Sequence, residues 1–159
     1  MIHKLVLAAV LACLPMAGLA ECAENRVDLR GDWGIARFTV EVADDANERA
    51  IGLMNRPSMA AAAGMLFVYE TPQRVGFWME NTLIPLDMIF MGADGVVRRI
   101  HENAVPRDRT LIPGGDDIQY VLEINGGMSA MLGLTEGTEL RHPAIDPAQA
   151  AWPCEGDGS

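Results

Sequence analysis

The stretch LDMIFMGADGVVRRIH, residues 86–101, decides the fold. Its first six residues put apolar side chains on both faces of an extended chain, with Asp87 the only polar one among them. A strand that is apolar on both faces is covered on both faces, so this segment reads as a central strand with Asp87 inside the protein. The turn GADG (92–95) follows, and VVRRIH (96–101) pairs back across it as a hairpin. Upstream, GFWMENTLIP (76–85) sets Glu80, Asn81 and Thr82 among Phe77, Trp78, Met79, Leu83 and Ile84. Burying such a polar group unpaired costs on the order of 2–7 kcal/mol. Each therefore needs a partner within the fold or a ligand from outside.

Working outward, ARFTVEVA (36–43) alternates Phe38, Val40 and Val42 with Arg37, Thr39 and Glu41, the period of a half-buried strand. DDANERAIGLM (44–54) changes to helical spacing. Asp45 and Glu48 form a capping-box-like start, and Ala46, Ala50, Leu53 and Met54 share one face. Arg56-Pro57 ends the helix, and SMAAAAG (58–64) suggests a short helical turn closed by Gly64. MLFVY (65–69) and RVGFWM (74–79) read as two strands separated at Thr71-Pro72. A loop with Pro106, Pro113 and Gly114-Gly115 leads to IQYVLEI (118–124), in which Ile118, Tyr120, Leu122 and Ile124 alternate. MSAMLGL (128–134) is a further helical turn, TELR (138–141) a last strand and DPAQAAW (146–152) a terminal turn. About seven short strands with one helix and two or three helical turns predict a mainly β fold, an antiparallel sandwich or open barrel.

The first twenty residues, MIHKLVLAAVLACLPMAGLA, have a basic start at Lys4, an apolar run and a small-residue exit. That is the layout of a signal peptide, too short for a membrane span. The expectation is an exported protein, periplasmic or secreted, with residues 21–159 forming one domain that has no transmembrane segment. Cys22 and Cys154 then remain near opposite ends and read as a disulfide in an oxidising compartment. A lipid-modified Cys22 is the alternative, which Glu21 in front of it fits poorly. Without Lys4 the chain carries eleven Arg and no Lys against 22 acidic residues, a net charge of −11. Such a body repels a phosphate backbone, which excludes nucleic acid as a partner.

The blocks ERAIGLMNRPSM (48–59), GMLFVYE (64–70) and FWMENTLIPLDMIFMGADGVV (77–97) resemble the bacterial and archaeal family catalogued as domain of unknown function 192, over roughly residues 38–141. The resemblance implies a compact β sandwich of jelly-roll character, commonly exported, and no established activity. Its pattern pairs Arg49, Gly52, Leu53, Met54 and Arg56 with Asn81, Thr82, Pro85, Leu86 and Asp87. The position of Glu80 is often basic in that pattern and is acidic here.

Two readings of these polar residues stand open. In one, an Arg grips Asp87 bidentately, Asn81 and Thr82 tie off a turn at Pro85, and the polar cluster only braces a domain that docks an envelope protein. In the other, Arg49, Arg56, Asn81 and Thr82 line a pocket where helix meets turn. Asp87 then orients the arginines, Glu80 and Trp78 edge the mouth, and the ligand is a small anionic or hydroxylated solute. A third possibility is a glycan-acting enzyme using Glu80 and Asp87 as acid and base. No G-x-S-x-G elbow accompanies Ser58, Ser129 or Ser159, and no catalytic residue is assigned. His101 and His142 are too few for a zinc site, and GGDD (114–117) lacks calcium-loop spacing. Copper(I) has one candidate set, Met79, Met128, Met131 and His101, though methionine more often fills cores. No cofactor is expected.

Overall fold

The computed structural model describes residues 22–154. The leader expected over residues 1–20 lies outside them. The elements are β1 (Arg26–Gly31), β2 (Gly34–Ala43), α1 (Ala46–Ile51), β3 (Ala63–Phe77), β4 (Leu86–Met91), β5 (Val97–Ala104), β6 (Ile112–Asn125), α2 (Met128–Leu132) and β7 (Glu139–Arg141). All seven strands belong to one sheet in the order β5-β4-β6-β3-β2-β1-β7. The sheet curls until its outermost strands touch. Val96 bridges Glu139, and Val97 N–H donates to the Thr138 carbonyl at 2.8 Å. The mainly β expectation holds, in a barrel-like form of the sandwich.

Every strand pair is antiparallel except β2–β3, which runs parallel from Thr39↔Ala63 to Ala43↔Phe67. Parallel neighbours need a crossover, and α1 with the segment after it supplies one. Asp45 caps α1 by accepting from Glu48 N–H at 2.8 Å, and Glu48 reaches back to Asp44 N–H. Gly52 ends it at φ 50°, a backbone region that suits glycine.

Residues 58–64 form no helix. They make a turn, Ala63 N–H to the Ala60 carbonyl, that starts β3. The break expected at Thr71-Pro72 is instead a register irregularity inside one fifteen-residue strand. Proline lacks a donor yet keeps the chain extended, so a bulge accommodates it. The facing strand β6 likewise continues through Pro113, Gly114 and Gly115. A Cβ on Gly114 would sit 2.3 Å from the Phe90 ring, so only glycine allows that approach. β1 went unread because Asp28 interrupts its apolar pattern. Asp28 is buried there between Arg37 and Arg141, at 2.6 and 2.7 Å.

Two clusters fill the fold. The inner one draws Val27, Leu29, Phe38, Leu66, Ile89, Val97, Leu122 and Leu140 from all seven strands. The outer one covers the other face of β3, β4 and β6 with Phe67, Met88, Phe90 and Val121, capped by Leu53 and Met79 from the connections. β4 is buried along its whole length, as its sequence predicts. Cys22 and Cys154 form a disulfide with Cα atoms 5.8 Å apart. Beside it, Trp152 stacks under Arg30 and Arg141, each 4.4 Å from the ring centroid. No helix among the described residues is long and apolar enough to cross a membrane.

Candidate functional site

Alternation along β6 puts Ile118, Tyr120, Leu122 and Ile124 on the inward phase and leaves Gln119, Val121 and Glu123 on the other. For an edge or one-faced strand that other phase would be solvent. Here β6 lies between β3 and β4, and its second face is the outer core. Glu123 therefore stands between Met65 of β3 and Met88 of β4 and is 4% exposed. No hydrogen bond from another described residue reaches its carboxyl. Burial alone pushes its pKa up to about 8. At neutral pH it is a neutral acid with an O–H to donate.

Glu123 lines a cleft of about 220 Å³ between α1, β3 and the turn at residues 76–82. Leu53, Phe67, Phe77 and Trp78 supply apolar walls, and Arg49, Tyr69 and Thr82 the remaining polar groups. Arg49 is half-buried. Its Nη1 donates to the Asp44 and Val68 carbonyls, the latter at 2.9 Å, and its guanidinium lies 5.0 Å from the Tyr69 ring centroid. Those contacts hold the group in place without neutralising it. No described carboxylate pairs with it. Burial raises the Tyr69 pKa; the Arg49 charge opposes that rise and Glu123 adds to it. Both ionisable groups are thus within electrostatic reach of one hydroxyl.

The structure brings together only some of the residues singled out in the sequence. Arg49, Thr82 and Trp78 line the cleft, with Trp78 half-exposed at its edge. Asn81 joins its turn to the segment after α1 through its backbone, its carbonyl accepting from Asn55 N–H at 2.8 Å. Arg56 grips Glu41 of β2 with both terminal nitrogens and lies outside the cleft lining. Glu80 is ion-paired to Arg109.

Asp87 is the clearest correction, because no arginine holds it. Its carboxylate accepts from the backbone N–H groups of Asn103, Gly127 and Ser129 at 2.8, 2.9 and 2.7 Å. It pins the end of β5 to the start of α2 and orients no arginine. Completely buried and committed to three donors, it is no partner for Glu80 in an acid–base pair. The copper set is also dispersed. Met79 packs in the outer cluster, Met128 against the inner one, and Met131 is 76% exposed. His101 shares a recess with Met79 alone of the three. Among the described residues no three His, Cys, Asp or Glu side chains could hold a metal ion together.

A larger recess, about 530 Å³, opens between the β1–β2 turn and residues 135–139. Its Asp32 and Glu136 are exposed, and its Arg30 is spent on Glu139. With no unmet buried polar group facing it, it lacks the chemistry of the smaller cleft. Glu123 and Tyr69 were missed as site residues because one strand's alternation cannot show that its second face is covered. The available signal was Val121, an apolar residue in the phase opposite to Ile118, Tyr120, Leu122 and Ile124.

The chain was compared with known proteins. The model of the family domain of unknown function 192, described as an uncharacterised ACR, matches residues 27–142. A protein of unknown function from Novosphingobium aromaticivorans has a crystal structure with a TM-score of 0.71 and 41% identity, covering 84% of this chain and 93% of that one. A Sinorhizobium meliloti protein, provisionally described as a transcription regulator, gives 0.74 and 41%, covering 80% and 100%. No curated protein matches the chain.

Proposed function

The chain belongs to the family domain of unknown function 192, a membership that carries no activity with it, and we propose that it is an exported domain binding a small anionic or hydroxylated solute in the Arg49–Glu123 cleft. The observation that carries this reading is a half-buried cation and a buried acid lining one cleft, neither paired with an opposite charge among the described residues. Arg49 holds an uncompensated charge, and Glu123 a buried carboxyl with no described partner. Proteins rarely keep such groups buried without a use, since each costs stability. The cleft is small, which suits a metabolite-sized ligand better than a polymer. Export is supported by the leader-like start and by the Cys22–Cys154 disulfide, a bond typical of oxidising compartments.

A second reading is a domain that docks an envelope protein. It is favoured by the exposed Ile51, Trp78 and Leu83 near the same cleft and by the purely structural role of Asp87. Nucleic acid is the weakest partner class despite the description of the Sinorhizobium relative, because 22 acidic residues face 12 basic ones. Thermal unfolding against small carboxylates, amino acids, sugars and anions tests the first reading. A ligand at a hundred times its Kd adds about 2.7 kcal/mol, a shift of a few degrees in Tm. Arg49→Gln should abolish the shift. A panel that leaves Tm unmoved, with a protein partner recovered instead, would favour docking.

A further inference from the structure

Resting on that reading, we infer that the ligand is a small zwitterion, amino-acid-like, whose carboxylate meets Arg49 and whose ammonium meets Glu123. The cleft holds one fixed positive charge and one latent negative one, and the walls between are apolar or aromatic. A simple anion satisfies Arg49 but leaves the Glu123 carboxyl unmet. A simple cation meets Glu123 but is repelled by Arg49. Only a molecule with both charges uses both groups, and an aromatic face such as that of Trp78 also suits an ammonium.

The elements packed around Glu123 present few competing charges. Arg49 comes from α1 and Tyr69 from β3, while the flanking Met65 and Met88 and the nearby Thr82 are uncharged. An arriving ammonium makes the ionised carboxylate the favoured form. In the free protein at neutral pH the carboxyl keeps its proton; on binding, that proton passes to the buffer and the carboxylate pairs with the ligand.

Calorimetry at pH 7 tests this with the twenty standard amino acids and glycine betaine as probes. Each binder is compared with the carboxylic acid lacking its amino group and the amine lacking its carboxylate. Titrations in phosphate and in Tris, whose ionisation enthalpies differ, count released protons. We expect an amino acid to bind with close to one proton released and either truncated analogue to bind on the order of 100-fold more weakly. Glu123→Gln, which keeps the shape, should lose the amino acid by a similar factor while sparing the des-amino acid. Arg49→Gln should lose both, with ligand-free melting confirming that each variant is folded. Equal affinity for the des-amino acid, no proton release or full affinity in Glu123→Gln would overturn the zwitterion and leave solute binding standing. Silence here, together with an unmoved Tm across the thermal panel of carboxylates, amino acids, sugars and anions, overturns both.

Discussion

Asp87 and Glu123 lie one register step apart on neighbouring strands, Asp87 opposite Ile124 and Met88 opposite Glu123, yet they face opposite sides of the sheet. Both carboxyls are removed from water. Asp87 is met by three backbone N–H groups, whereas Glu123 has burial around it and no described hydrogen-bond partner. The difference teaches how to tell a brace from a site. Burial of a charge-bearing group is common to both, and what separates them is whether the fold itself completes the hydrogen bonding.

The largest effect should come from the brace. Asp87→Ala would strand the buried Ser129 N–H and the part-buried N–H groups of Asn103 and Gly127, and a loss of about 3–5 kcal/mol is expected in urea unfolding. A loss below about 1 kcal/mol would mean that water replaces the carboxylate, and the contrast with Glu123 would fail.

Glu123→Gln should do the opposite and stabilise the ligand-free protein. The sign follows from linkage. The folded-state pKa, about 8, lies above the usual 4.5, so the folded state keeps its proton where the unfolded state has lost it. Stability therefore falls as pH rises through that window, by at most roughly 1.4 kcal/mol per pH unit, and levels off above it. Gln pays no such penalty. Its advantage should be near zero at pH 4 and amount to about 4 kcal/mol at pH 8. A gain equal at both pH values would show that the carboxyl is not held neutral.

The smallest effect sharpens the comparison from outside. Arg56→Ala removes a partly exposed pair with Glu41 and should cost less than about 1 kcal/mol. It should also leave ligand affinity unchanged, unlike Arg49→Gln.

What could be read from the sequence follows the same division. LDMIFM announced a covered strand because both of its phases are apolar, and its hairpin partner followed from the turn. The start of α1 was legible from Asp45 and Glu48, since capping is local chemistry. β1 was not legible, because Asp28 looks like a solvent residue until Arg37 and Arg141 arrive from other strands. That Asp87 is inside was legible, but its donors were not, since backbone N–H groups carry no sequence signature. Glu123 drew no attention because the residues that share its cleft, Leu53 and Phe67 among them, come from the segment after α1 and from β3. The site was half-visible, through Arg49, Thr82 and Trp78, and its acidic half depended on sheet order.

The meeting of β5 and β7 at Val96 and Glu139 bears on how the protein behaves in a crowded solution. A sheet rim left open is a template on which another chain can grow, and fibrils begin there. Here part of the rim is consumed by the molecule's own other end. The remaining length of β5 presents Arg98, Arg99 and Glu102 to solvent, charges that an incoming strand would have to strip of water. The same closure that shapes the inner core therefore also shortens the rim on which a strand of another copy could pair.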